Sequence, residues 1–199
     1  VPPKATVNLT ASISVPLDAL PGGHYAGILY QSGGSPANLG TGVGAGTGVN
    51  QIVGTLAYIT VAGPITENAF LKQFKTPGFS EYGPVEFTTE ILNQSDIHIA
   101  PQGQVTVRDM LGKNVKVLPL EQVNIFPQAS RIYENIWDVQ YLIGRYRADL
   151  EVVYGEHGGA ITGTIFFWVF PWKIVSIALL AIIIIILLIV LTIKKIRRR

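Results

Sequence analysis

The 199 residues include 21 Gly and 12 Pro but no Cys, so a disulfide scaffold, a thiolate metal site and a Cys nucleophile are excluded. Hydrophobic residues make up 48% of the chain and charged residues only 14%, well under the quarter typical of soluble domains. Residues 1–173 hold ten Lys/Arg against thirteen Asp/Glu, and Lys194–Arg199 holds five bases and no acid; a mildly acidic body with a basic tip lacks the basic face a nucleic-acid binder needs.

Along the chain, the first strands are expected at Ala5–Val15, His24–Gln31 and Gln51–Val61. Between the last two lies GGSPANLGTGVGAGTG, Gly33–Gly48. It has neither G-x-G-x-x-G nor G-K-[ST] and no following helix, so it reads as a hairpin loop and not a phosphate cradle. Residues 1–64 are therefore expected to form a partial immunoglobulin-like module. Three strands cannot close a sandwich of about seven, so an open apolar face is expected there, with Val7, Leu9, Ile13, Ile28, Val53 and Ile59 short of partners. Residues 65–83, with Pro, Gly and a short apolar patch at Phe70–Phe74, read as a linker with room for one helical turn.

Residues 84–170 carry period-two patterns. In Arg145–Tyr154, the side chains of Tyr146, Ala148, Leu150, Val152 and Tyr154 alternate with Arg145, Arg147, Asp149 and Glu151. Alternation of this kind marks a half-buried antiparallel strand. Similar patterns at Val85–Ile91, Val105–Arg108, Val115–Val117, Ile132–Trp137 and Ala160–Phe170 give about seven short strands with regular turns. This count suits an immunoglobulin-like β-sandwich. The fold class expected is all-β: two such modules, the first incomplete, then one C-terminal transmembrane helix.

That helix is the run Ile174–Ile193, in which sixteen of twenty residues are Ile, Leu or Val and only Ser176 and Thr192 are polar. Twenty helical residues span roughly 30 Å, the thickness of a hydrocarbon core. At about −0.3 to −0.6 kcal/mol per apolar residue, insertion is favoured by roughly 5–10 kcal/mol. Trp168, Trp172 and Lys173 mark one membrane interface; Lys194, Lys195, Arg197, Arg198 and Arg199 mark the other. The positive-inside bias places this basic tail, residues 194–199, in the cytoplasm and residues 1–173 outside, giving a single-pass plasma-membrane protein in contact with lipid. No signal peptide is visible after Val1, and an outside N-terminus implies one that was cleaved or lies upstream.

Two segments echo each other. Gly23-His24-Tyr25-Ala26-Gly27 and Gly144-Arg145-Tyr146-Arg147-Ala148 both fit G-x-Y-x-small at the start of a strand. An immunoglobulin-like domain places its tyrosine corner there, with the hydroxyl bonded to upstream backbone, so Tyr25 and Tyr146 are the corner candidates. The runs VPLDALPGGHYAGILY and QIVGTLAYITVAG resemble the end of a pilus-chaperone-like, immunoglobulin-type module, and TTEILNQSDIHIAPQGQVTVRDMLGKNV, NIFPQASRIYENIW, GRYRADLEVVYG and FFWVFPWK resemble the second module and membrane anchor of bacterial WxL-interacting proteins. The resemblance covers most of residues 5–199. It implies a cell-surface binding role without catalysis, the first module associated with peptidoglycan and the second with host or partner proteins. The first module here is short and carries the Gly-rich insertion.

No catalytic constellation stands out. Glu86 and Glu90 lie on one strand face roughly 13 Å apart, as on a solvated surface. His157 sits beside Gly158-Gly159 as a turn residue, without ligand spacing, and no cofactor or metal is expected. Asn8-Leu9-Thr10 and Asn93-Gln94-Ser95 are sequons that serve as ordinary polar positions where glycosylation machinery is absent. The expected function is surface binding or adhesion, with cell-wall polymer or surface proteins as partners. The alternative is an envelope scaffold or assembly part that pairs by β-strand addition with a strand-donating partner or an upstream domain.

Overall fold

The computed structural model describes residues 6, 8–31 and 52–197. Nearly half of these are strand, and one apolar helix runs to residue 196. The chain divides into two compact units, Val1–Thr66 and Glu67–Arg199.

The described part of the first unit is a two-stranded antiparallel ribbon, β1 (Gly22–Gln31) and β2 (Ile52–Val61), paired from Gly22↔Val61 to Gln31↔Ile52. Among the described residues this unit holds no second sheet. Residues 8–15 of the expected strand Ala5–Val15 form none: they pair with no strand among the described residues, and Leu9 and Ile13 stay exposed. The Gly-rich segment, Ala5 and Val7 lie outside the described residues. Of the apolar residues expected on an open face, Val53 is exposed and Ile28 and Ile59 are half-buried. Leu29, Leu56 and Tyr58 are exposed as well, so the ribbon lacks a core of its own.

The second unit holds eight strands in two sheets. One has the order β4 (Phe79–Ser80), β10 (Gly159–Val169), β9 (Gly144–Tyr154), β6 (Gln102–Arg108), β7 (Asn114–Pro119); the other is β3 (Ala69–Lys75), β5 (Val85–Asn93), β8 (Ser130–Trp137). All pairings are antiparallel except β4 with β10. Inward residues of both sheets form one core: Val85, Phe87 and Ile91 on β5, Val105 and Val107 on β6, Ala148, Leu150 and Val152 on β9, and Phe167 and Val169 on β10. Phe87 meets Phe167 edge-on at 5.7 Å, and Trp137 meets Tyr146 edge-on at 5.5 Å, so the contacts cross between the sheets.

The expected linker at 65–83 is corrected: it supplies two strands of this unit. In β3 the inward residues are Ala69, Leu71 and Phe74, and a register shift lies between Leu71 and Gln73. The extra residue of this bulge breaks the period-two signal. Thr76-Pro77-Gly78 then ends β3, and the chain crosses to the other sheet, where Trp168 N–H donates to Gly78 O at 2.9 Å and Phe170 N–H to Ser80 O at 3.0 Å. The module thus begins at Glu67, well before residue 84.

Candidate functional site

Strand β10 runs into the helix α1 (Trp172–Ile196) through Phe170 and Pro171 alone. The helix begins two residues before the apolar run, with Trp172 in its first turn. Within the 23 residues Trp172–Lys194 an 18-residue window reaches a mean hydropathy of 3.7, and none of that window is buried against the other described residues. A helix this long and apolar on every side suits lipid and not a water-facing surface. Within the apolar run Ile174–Ile193 the two polar side chains are satisfied internally: Ser176 Oγ donates to Trp172 O and Thr192 Oγ1 to Leu188 O, each at 2.7 Å. In hydrocarbon, with no water to bond an idle hydroxyl, this back-bonding to the preceding turn is what a spanning helix requires.

The expected interface residues divide by element. Trp168 lies in β10, half exposed on the outer face of the five-stranded sheet and paired with Phe79 and Arg145. Trp172 and Lys173 lie in the first helical turn, and Lys173 Nζ is 2.7 Å from the Glu81 carboxylate. That carboxylate neutralises Lys173 next to the positive end of the helix dipole. At the other end, Lys194 and Lys195 are helical and Arg197 caps the helix, its N–H donating to Ile193 O; Arg198 and Arg199 lie outside the described residues.

Tyr146, near the start of β9, is buried. Its hydroxyl donates to Ile143 O, three residues upstream, at 3.3 Å, and its ring stacks on Phe167 at 5.5 Å. Tyr25 stands differently. It is half-buried in the middle of the ribbon's pairing, opposite Tyr58, with the two rings edge-on at 5.7 Å. The G-x-Y echo marks a strand start in both copies, with a half-buried ring in the first and a buried one in the second.

Sequence reasoning missed three polar groupings. The first centres on Asp149, which points to the outer face of its sheet yet is nearly enclosed. It accepts from Arg108 at 2.6 Å, Arg147 at 2.9 Å and Thr164 at 2.8 Å. Asp149 lies in register with both Thr164 and Thr106, a cross-strand relation that spacing along one strand cannot reveal. Beside it, Arg145 covers the Phe166 ring at 4.4 Å, and a shallow pocket lies between these arginines, Met110 and Gly112. The second grouping is Asn93, fully buried, whose amide donates to Ile97 O at 2.8 Å and Ile125 O at 2.9 Å and accepts from Ser95 N–H at 2.8 Å. The asparagine of the second sequon is thus a structural hub without room for a glycan.

The third is Glu67 with His157. The Glu67 side chain is 7% exposed and the imidazole 82%, with Nδ1 2.8 Å from the carboxylate. The backbone N–H groups of Glu156 and His157 donate to the same carboxylate. The His157 hydrogen bond is the main cause holding the Glu67 pKa below its usual value of 4.5. In return the Glu67 hydrogen bond raises His157 above 6.5. His157 is therefore a turn residue, as its Gly neighbours indicate, and also a clamp on the start of β3. Among the described residues no three His, Asp or Glu side chains come together in a way that could hold a metal ion. No protein-family model and no curated protein matches the chain.

Proposed function

We propose that the chain is a single-pass surface protein whose immunoglobulin-like domain stands outside the membrane, carried by α1, and binds cell-wall polymer or other surface proteins. The observation that carries this reading is the direct run of β10 into a helix whose apolar run, Ile174–Ile193, has polar side chains only at Ser176 and Thr192, each bonded to its own backbone. The strand order, with β3-β5-β8 against β4-β10-β9-β6-β7 and a first strand split between the sheets, supports an immunoglobulin-like topology. The basic tail supports a cytoplasmic C-terminus. We read the domain as non-catalytic: its two most enclosed carboxylates, Asp149 and Glu67, are fully engaged in structural contacts. The resemblance to WxL-interacting proteins belongs to the same reading.

The test has two parts. Alkaline extraction of membranes should leave the full chain in the pellet and release a chain ending at Pro171. The released ectodomain should then retain specific partners from cell wall or surface-protein fractions; failure to bind either would remove the binding role and leave only the anchor.

A second reading, assembly by strand addition, is favoured by the β1–β2 ribbon, which has no further strand on either edge among the described residues. Unpaired edges beside exposed apolar side chains are ready pairing sites. A peptide added as a third strand would be detected as new protected amides in β1 or β2 on hydrogen exchange.

A further inference from the structure

We infer that the domain does not stand off the membrane but docks on it, with the loops at the helix end seated among the lipid headgroups of the leaflet where α1 enters. This rests on the reading of α1 as membrane-spanning.

The topology sorts the loops of the second unit into two ends. Strand β10 ends at Val169 opposite Gly144 of β9, and Arg108 of β6 lies opposite Arg147 of β9. The turn 109–113 therefore lies at the end from which α1 leaves. So does the connection 138–143, which leads into Gly144, and so does 79–84, since Phe79 pairs with Trp168. Segments 94–101, 120–129 and 155–158 lie at the opposite end.

The two ends differ in chemistry. At the helix end Phe79, Tyr82, Met110, Leu111, Tyr141 and Ile143 are each more than half exposed, with Leu111 at 88% and Tyr141 at 83%. At the opposite end, Ile97, Ile99, Leu120 and Ile125 are all buried, and no loop there carries an exposed large apolar side chain. A core that needed these six residues would have turned them inward, as it did at the far end. Single exposed apolar residues are ordinary, but six on three separate segments, all at one end, form a surface that calls for a partner.

The position of α1 identifies that partner. Three Cα steps from Val169 to Trp172 reach at most about 10 Å. The headgroup layer beyond each side of the hydrocarbon core is roughly 5–8 Å deep. A helix that starts at the hydrocarbon boundary therefore holds this end of the domain within the headgroup layer, and the Lys173–Glu81 ion pair tethers it further. Tyr and Trp rings at this level, here Tyr82, Tyr141, Trp168 and Trp172, suit a boundary that is apolar on one side and wet on the other.

The absence of Cys makes the test direct, since a single introduced Cys takes one label. The full chain is reconstituted in vesicles of neutral and anionic phospholipid with an environment-sensitive fluorophore at Leu111→Cys, Gln122→Cys or Ile184→Cys. The label at 111 should shift to the blue, be quenched by spin-labelled lipid headgroups and be several-fold less quenched by aqueous iodide than the label at 122. Equal iodide quenching at 111 and 122, with 184 protected, overturns docking while leaving the anchor intact. An accessible label at 184 overturns the anchor itself. Protection at 111 that disappears as protein is diluted in lipid assigns the surface to a second copy and also overturns the inference. Met110→Ser with Tyr141→Ser, introduced beside the label at 111, should reduce the lipid quenching and leave the label at 184 unchanged.

Discussion

Asn93→Ala should be among the most damaging single substitutions in the second unit. The wild-type amide is fully buried and makes three hydrogen bonds, two donated to Ile97 O and Ile125 O and one accepted from Ser95 N–H. Ile125 O keeps a second partner, the Ile99 N–H at 3.1 Å, so the truncation orphans mainly Ile97 O and Ser95 N–H and leaves a small void. At roughly 1–3 kcal/mol for each buried unsatisfied group, the loss comes to about 3–5 kcal/mol. No charge is involved and Asn93 is fully buried, so solvent screening does not reduce it. Against a total stability of about 5–15 kcal/mol this is a large share. In urea denaturation of the full chain in micelles, with an m value of about 1.5 kcal/mol/M, the midpoint should fall by roughly 2–3 M. Asn93→Asp keeps the acceptor for Ser95 but loses both donated bonds and buries a charge, so it should be more destabilising at neutral pH than under mildly acid conditions. A drop of less than about 0.5 M for Asn93→Ala, under the worth of one ordinary hydrogen bond, would refute the hub.

Three further expectations follow from the same geometry. Tyr146→Phe loses a long hydrogen bond to Ile143 O and should cost about 0.5–1 kcal/mol, whereas Tyr133→Phe, whose buried hydroxyl has no hydrogen-bond partner, should be neutral or stabilising; equal losses in thermal denaturation would contradict the assignment. The Glu67–His157 pair should stabilise most between pH 4.5 and 6.5: its contribution fades as pH rises through the raised His157 pKa and as pH falls through the lowered Glu67 pKa, and in an NMR titration Glu67→Gln should return His157 toward 6.5. Asp149→Ala leaves Arg108 and Arg147 facing each other across β6 and β9, and because both guanidinium groups reach solvent the loss should stay near 2 kcal/mol, with Asp149→Asn recovering part of it in the same denaturation assay.

Several elements are legible from residue order alone. Strand β9 alternates from Arg145 to Val152, and its inward apolar set of Tyr146, Ala148, Leu150 and Val152 is buried. The helix needs only length and apolarity. Strand β3 escapes because its bulge places the inward residues at intervals of two and three, which matches neither the strand nor the helix period. Strand β4 has two residues and exists only because β10 offers an edge. In residues 8–15 the opposite occurs: apolar residues alternate with polar ones, but they pair with no strand among the described residues. The polar groupings are the least legible. Asn93 bonds to a carbonyl 32 residues away, and Glu67 and His157 are 90 apart, so only the closed fold brings the partners together. Met110, Leu111, Tyr141 and Ile143 read individually as turn residues; their common end follows from strand direction.

The central claim is a β domain held outside the membrane by α1. It is tested most directly by labelling intact cells with a membrane-impermeant maleimide, using Gln122→Cys in the domain and Ile196→Cys at the far helix end, a pair that leaves all five basic tail residues in place. The account predicts rapid labelling at 122 in intact cells and labelling at 196 only after permeabilisation. Labelling at 196 with 122 protected would invert the topology, and labelling of both in intact cells would contradict a membrane crossing by α1.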